Sequence, residues 1–181
     1  MWLPISSPGQ LKMMPSPRTG EGIIAFSMAA DLGVPLRLAR MSSASFRGVD
    51  VPGVRAPAGG FVHATVVATD SDLVFVSGQT PEDVDGSFPS DFESQARVAW
   101  RNVERTLAAA GCTLDDVAKV NMYIRDRIYR EPNRAVRNEV LGDRRPALTV
   151  LVTDHWDEGW LIEIEVIAAR RERRGRKRNH G

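Results

Sequence analysis

Helical periodicity marks two segments of the chain. Apolar residues recur every three or four positions over residues 92–110, which predicts a helix that ends at Gly111. Ser90 and Glu93 are spaced to form a capping box at the start of this helix. A second, shorter helix is predicted over residues 131–141.

Short runs of apolar and β-branched residues predict the strands. These runs cover residues 61–69, 72–76, 118–124, 147–153 and 161–169. With the two helices, the order is β-β-α-β-α-β-β, which predicts an α+β domain whose mixed sheet carries both helices on one face. Residues 154–159 are predicted to form a solvated hairpin loop between the last two strands.

The last predicted strand has two different faces. Ile162 and Ile164 point to one side and suit packing beneath the helices, whereas Glu163 and Glu165 point together to the other. The preceding strand is mostly apolar on both faces. An apolar sheet face without helices needs another cover, so we expect an oligomer with the two glutamates near subunit boundaries.

Composition divides the chain into three parts. Residues 1–57 hold seven of the eleven prolines and lack sustained periodicity, so they are predicted to be an irregular or disordered extension, in which Met41 is a candidate natural start. Residues 58–169 form the predicted domain. Residues 170–181 carry seven cations and one anion, which predicts a solvated, disordered basic tail.

Charge and cysteine content narrow the function classes. The basic tail could contact phosphates non-specifically, but the rest of the chain is acidic, so a nucleic-acid partner is not expected. A single cysteine, Cys112, excludes a disulfide framework and a cysteine-rich zinc module and favours a reducing, cytoplasmic setting. There is no run of eighteen apolar residues, so no membrane-spanning helix is predicted.

Several other polar residues are assigned structural roles. His155 lies among carboxylates in the predicted 154–159 loop, but contiguous loop residues do not readily converge on a metal ion, so no metal site is predicted. His63 is predicted to be a hydrogen-bonded structural residue, and Cys112 a buried small hydrophobe. Trp156 and Trp160 are expected either to line a cleft or to pack at a subunit interface.

Three motifs occur in a fixed order: Val-Ser-Gly-Gln-Thr-Pro at 76–81, Arg-Pro-Ala at 145–147, and Ile-Glu-Ile-Glu-Val-Ile-Ala at 162–168. Together they resemble the Rid family (RidA/YjgF-like, also called endoribonuclease L-PSP-like) over about residues 56–170. The resemblance implies a chorismate-mutase-like fold and a homotrimer with a central barrel and ligand clefts between subunits. It also implies hydrolysis of an enamine or imine, such as 2-aminoacrylate or 2-iminobutanoate, to a 2-keto acid and ammonia, without metal or organic cofactor.

The resemblance also implies where a site would lie. Gly78, Asn133 and Glu163 match site positions of the family, and Glu163 matches the acidic residue that positions or activates the attacking water. Phe61 stands where a tyrosine is often found near the cleft, so one hydroxyl donor is missing.

One substitution implies an altered specificity. Active members of the family carry an arginine after Pro-Ala, where a guanidinium pairs with the substrate carboxylate, and this chain has Leu148 there. Arg145 is the nearby candidate to replace it. The chain is therefore expected to be a divergent member of the family. It is either a deaminase with altered specificity or a non-catalytic trimer that binds a metabolite or a protein. Action on RNA is a third, less favoured alternative.

Overall fold

The computed structural model describes residues 45–171. The predictions for residues 1–44 and 172–181 lie outside this part. The elements are β1 Phe46–Val49, β2 Ala64–Val67, β3 Ser71–Gln79, α1 Phe92–Ala109, β4 Val117–Ile124, α2 Arg130–Leu141, β5 Ala147–Val152 and β6 Ile162–Arg171.

The main sheet has four strands in the order β3-β6-β4-β5. The β4–β5 pair is parallel and the other two pairs are antiparallel, so the sheet is mixed. Helix α1 packs on β3 and β6, and Val136 and Leu141 of α2 belong to the same core. The α+β fold with two helices on one face of a mixed sheet is therefore confirmed.

Successive side chains of β6 point alternately to the core under the helices and to the other face of the sheet, which we call the open face. Ile162, Ile164 and Val166 are fully buried against the helices, and burying such a side chain stabilises the fold by about 1.5–3 kcal/mol. Glu163 and Glu165 point to the opposite face, as predicted. No helix of the described region covers that face in the single chain, which leaves apolar side chains exposed on it.

One strand was missed. Residues 46–49, predicted to be irregular, form β1 and pair with β2 in a separate antiparallel sheet. Gly48 interrupts the alternation of apolar and polar residues that would identify this short strand in the sequence. Glycine is needed there because of a tertiary contact: a Cβ at position 48 would lie 2.8 Å from Cγ1 of Val62. The prediction of irregular structure throughout residues 1–57 is therefore wrong for this segment.

The predicted hairpin between the last two strands is also wrong. Strand β4 lies between β5 and β6 and pairs with both, so the loop that joins them crosses the end of β4. Ile124 at this end is paired with Val152 on one side and Ile162 on the other. A parallel β4–β5 pair needs a crossover connection, which α2 supplies, and local turn signals cannot show this.

The boundaries of the long helix and of the tail differ slightly from the predictions. Asp91 caps α1, with its Oδ1 accepting a hydrogen bond from the Ser94 N–H at 2.9 Å, instead of Ser90. Gly111 ends the helix as predicted, at φ +72°. Strand β6 runs to Arg171, and Arg170 donates to the Ala110 carbonyl at 2.7 Å, so the prediction of a disordered tail is wrong for residues 170 and 171.

Among residues 45–171, no helical segment carries an apolar stretch that could span a lipid bilayer.

Candidate functional site

Gly78 and Glu163 meet at an irregularity in the main sheet. The pairing of β3 with β6 shifts register between Val76 and Gln79, and Gly78 lies in this bulge. A Cβ built on Gly78 would lie 1.6 Å from Oε1 of Glu163. Glycine is therefore needed at position 78, because any side chain there would occupy the place of the carboxylate.

The two glutamates on the open face have different surroundings. Glu165 accepts hydrogen bonds from Asn121 Nδ2 at 2.6 Å and from the Tyr123 hydroxyl at 2.8 Å. Within the described chain, no protein group donates a hydrogen bond to Glu163, which leaves its oxygens available to a water or a ligand. Glu165 thus has a structural role, and Glu163 has unused hydrogen-bonding capacity.

The electrostatics of Glu163 follow from this arrangement. Burial raises the pKa of Glu163 above its ordinary value, and the nearby charge of Glu165 raises it further. Both effects disfavour the charged carboxylate. A carboxyl group that holds its proton to higher pH than usual is suited to exchange protons with a substrate near neutral pH.

His155 is buried beside Glu163, in contrast to the prediction of a solvated loop residue. Its side chain is 1% exposed, and its Nδ1 lies 3.9 Å from Oε2 of Glu163. Its Nε2 is buried and has no hydrogen-bond partner in the part of the chain that the structure describes. Burial lowers the pKa of His155, and the charge of Arg125 lowers it further, so the imidazole is neutral at physiological pH.

The loop that carries His155 is fixed to helix α1. The Gln95 side chain donates to the Gly159 carbonyl at 2.9 Å and accepts from the Leu161 N–H at 2.8 Å. These bonds hold the end of the loop and the start of β6. Trp156 in the same loop is 96% exposed in the single chain, so its expected place in a cleft or at a subunit interface stays a prediction.

Three other predicted site residues lie together elsewhere. Phe61, Asn133 and Leu148 line a pocket of about 210 Å³ between α2, β5 and the segment before β2. The complete lining is Ala58, Phe61, Arg130, Asn133, Arg134, Arg137, Leu148 and Val150. A shallower cavity of about 300 Å³ adjoins it and shares Ala58, Phe61 and Arg130 with it.

The two groups of residues lie on opposite faces of the main sheet. Tyr123 is opposite Glu163, whereas Leu148 is opposite Val120, which in turn is opposite Val166 on the helix side of β6. Strands lie about 4.8 Å apart, and β4 separates β5 from β6. One chain therefore does not bring the five predicted residues together. We call Gly78, His155 and Glu163 the carboxylate half-site, and the residues lining the 210 Å³ cavity the arginine pocket.

Sequence reasoning missed Arg137, the most deeply buried charge in the arginine pocket. Arg137 is 5% exposed, and its Nε is buried without a hydrogen-bond partner in the described region. Its Nη2 donates to the Gly59 carbonyl at 3.4 Å and to Asn138 Oδ1 at 3.2 Å. The sequence feature that could have revealed it is the spacing of Arg130, Arg134 and Arg137, which places all three on one face of a helix.

Arg145, the predicted replacement for the missing arginine, is engaged elsewhere. Its Nη2 donates to the Phe61 carbonyl at 3.1 Å and lies 3.8 Å from Oδ2 of Asp50. Arg145 does not line the arginine pocket. The structure therefore favours helix α2 over the entrance of β5 as the source of positive charge near Leu148.

Two residues have the structural roles predicted for them. His63 accepts a hydrogen bond from the Val51 N–H at 3.0 Å through Nδ1, and its Nε2 lies 3.0 Å from the Arg55 carbonyl. Cys112 is buried, and this burial raises the pKa of its thiol, which disfavours the reactive thiolate.

Comparison with known proteins identifies relatives of this domain. The family model described as Endoribonuclease L-PSP matches residues 53–170, more than half of the chain. The RutC family protein YjgH of Escherichia coli K12 is 40% identical over 98 residues, which cover 54% of this chain and 75% of that protein.

Solved structures give the same fold. A Rid family protein of unknown function from Yersinia pestis superposes with a TM-score of 0.61 at 22% identity, covering 68% of this chain and 98% of that one. The structure of E. coli TdcF with bound serine gives a TM-score of 0.52 at 26% identity, with 68% and 98% covered. TdcF carries the name of a reactive intermediate deaminase, and a 55-residue segment of it is 38% identical to this chain.

Proposed function

Because this chain belongs to the Rid family, which the Endoribonuclease L-PSP model describes, we propose that it binds a small enamine or imine metabolite and hydrolyses it. The products are a 2-keto acid and ammonia, and 2-aminoacrylate and 2-iminobutanoate are the reference substrates. The deaminase name of TdcF and the serine bound to it support a small amino-acid-derived ligand. Leu148 gives the site an altered specificity.

The state of Glu163 is the observation that carries this proposal. Its carboxyl group has no hydrogen-bond donor among residues 45–171, occupies the space left by Gly78, and has a raised pKa. Glu165, only two residues away, is held by Asn121 and Tyr123. Two neighbouring carboxyl groups with such different environments are typical of a site in which one performs acid–base chemistry.

The proposed reaction uses Glu163 to activate water. The carboxylate accepts a proton from a water molecule as the water oxygen bonds to the imine carbon. The protonated Glu163 then donates this proton to the nitrogen, and the C=N bond becomes a single bond. In the resulting carbinolamine, Glu163 accepts the hydroxyl proton as the C=O bond forms and passes it to the nitrogen, which leaves as ammonia when the C–N bond breaks. An enamine enters the same sequence after it gains a proton on carbon and loses one from nitrogen, which converts it into an imine.

The assembly that we propose for this reaction is a homotrimer. The carboxylate half-site and the arginine pocket lie on opposite faces of one chain, so a cleft that contains both needs two chains. The apolar residues on the open face of the main sheet support burial against other copies, since Leu73, Phe75 and Leu151 are between 49% and 71% exposed in the single chain.

The experiment is a coupled assay on enzymatically generated 2-aminoacrylate and 2-iminobutanoate, with keto-acid formation followed against the uncatalysed rate. Glu163→Gln is expected to lower kcat/KM by about 100-fold or more, since it keeps the shape but removes the proton acceptor. Glu165→Gln is the matched variant two residues away, and it is expected to keep the plateau rate.

The pH dependence separates the two roles further. Glu163 must be ionised to accept a proton, so the raised pKa moves the acid limb of the kcat/KM profile to higher pH than an ordinary glutamate gives. Glu165→Gln removes a neighbouring negative charge, which lowers the pKa of Glu163 and shifts this limb to lower pH. Equal activity of the wild type and Glu163→Gln would overturn the proposal, and no acceleration by the wild type would favour the non-catalytic binding module.

A further inference from the structure

Arg137 is a buried positive charge without a negative partner. The described region contains no carboxylate within 4 Å of its guanidinium, although Arg130 and Arg134 beside it both contact Glu131, at 3.7 Å and 3.5 Å. Burying an unpaired charge is costly, and proteins usually pair or expose such a group. The folded chain therefore keeps Arg137 in an unfavourable state that an anion would relieve.

The atoms around Arg137 define the chemistry that the pocket lacks. Arg137 Nε is a buried donor and Asn133 Oδ1 is a buried acceptor, and neither has a hydrogen-bond partner in the described chain. Phe61, Leu148 and Val150 form the apolar wall of the same pocket. A ligand that satisfies all of these groups has an anionic oxygen, a hydrogen-bond donor and a short apolar chain.

The size of the pocket limits the ligand. At about 210 Å³ it is smaller than the pockets of about 300–1,000 Å³ that bind drug-sized molecules. The apolar wall favours a carboxylate with a hydrocarbon side chain over a free inorganic oxyanion. A planar guanidinium fork also matches the geometry of a carboxylate.

We propose that Arg137 replaces the arginine missing at Leu148: its guanidinium pairs with the carboxylate of the proposed substrate, and Asn133 Oδ1 accepts a hydrogen bond from the 2-amino, 2-imino or 2-hydroxy group. Helix α2 thus supplies the guanidinium that β5 lacks at Leu148. This inference deepens the proposed function by naming the residue that recognises the substrate carboxylate, and it rests on that function only for the reaction; the binding itself is tested separately.

The test measures binding of 2-hydroxybutanoate, which is stable in water, to the full chain by calorimetry. The neutral 2-hydroxybutanamide is the ligand control, and inorganic phosphate tests whether any anion suffices. Arg137→Gln is expected to weaken 2-hydroxybutanoate binding by about tenfold or more. The matched protein control is Arg101→Gln, which also removes one arginine but lies on exposed α1 surface, 4.0 Å from Asp83.

Further variants keep the test decisive. Arg137→Lys retains the charge but loses the planar fork, so we expect binding between those of the wild type and Arg137→Gln. If Arg137→Gln does not fold, the inference is tested by the affinity of Arg137→Lys and by the preference of the wild type for 2-hydroxybutanoate over 2-hydroxybutanamide. Calorimetry measures binding without turnover, so 2-hydroxybutanoate binding by a wild type that is inactive in the keto-acid assay would separate a failure of the proposed reaction from a failure of this inference.

Several results would overturn the inference. They are an absence of 2-hydroxybutanoate binding to the wild type at high millimolar concentration, equal binding of the amide, and tighter binding of phosphate than of the organic acid. Equal losses in Arg101→Gln and Arg137→Gln would show a non-specific effect of net charge instead of a site.

Discussion

Glu163 and Glu165 differ in what surrounds them, although they are neighbours on the same face of β6. Glu165 accepts hydrogen bonds from Asn121 and Tyr123, and the bond with the Tyr123 hydroxyl raises the pKa of that phenol. Glu163 faces Gly78 and buried His155. Local environment, and not residue type, therefore separates the structural carboxylate from the candidate acid–base group.

A substitution at Gly78 tests the position of the Glu163 carboxylate. In Gly78→Ala the new methyl group would overlap Oε1 of Glu163, so the carboxylate must move by more than an ångström. Because the end of a glutamate side chain is flexible, we expect a small effect on unfolding and a loss of about 100-fold in kcat/KM, as misplacement of a reacting group by about 1 Å can cause.

Urea unfolding and the keto-acid assay on the same preparation measure both effects. Gly86→Ala is a substitution of the same type in a loop where a Cβ meets nothing within 4 Å, although its φ of +81° adds local strain. Full activity in Gly78→Ala would show that the carboxylate position in the single chain is not the functional one.

The residues that sequence reasoning missed are those whose burial is set by distant parts of the chain. The pairing of Gly78 with Glu163 follows a motif order visible in the sequence, and both were expected at the site. His155 and Arg137 look like surface residues because each lies in a polar stretch. Their burial depends on the crossover from β5 to β6 and on the segment before β2, which local periodicity does not report.

Helix α1 is the element on which the sequence was most informative. Its apolar spacing and its glycine terminator predict the helix within one residue at its C-terminal end. The strand order was harder, since β6 is inserted between β3 and β4 and neither of its partners is its neighbour in sequence. Strand pairing of this kind is decided by tertiary packing, so the hairpin prediction for residues 154–159 was wrong.

The cap of α1 allows a prediction at this scale. Asp91→Ala removes the acceptor for the Ser94 N–H and is expected to lower the urea midpoint of unfolding, because a first-turn N–H of α1 loses its cap. Urea denaturation at pH 7 measures this. Ser90→Ala, the cap proposed from sequence, is the comparison and should cost less; the reverse order would contradict the assigned cap.

At the scale of the whole molecule, the open face of the main sheet determines the expected assembly. Phe75 on edge strand β3 is 71% exposed in the single chain, and it is paired with Ile167, on the face of β6 that also carries Glu163 and Glu165. An uncovered apolar sheet face of this kind is normally buried in a functional assembly.

Phe75→Glu places a charge on this face and is expected to convert a trimer into monomers while the helical content is retained. Light scattering after size exclusion gives the mass, and circular dichroism gives the helix content. Val84→Glu introduces the same charge at a residue that is 98% exposed in a loop, and it should leave the trimer intact. A monomeric wild type would contradict the proposed assembly.

The 1.6 Å approach between a Cβ at position 78 and the Glu163 carboxylate also has an evolutionary consequence. The two positions constrain each other: alanine at 78 is compatible with an undisturbed site only after residue 163 has been shortened or replaced. The order of mutations therefore matters: once residue 163 has lost its carboxylate, position 78 no longer requires glycine. Drift at position 78 would then record the loss of acid–base chemistry in descendants whose fold is unchanged.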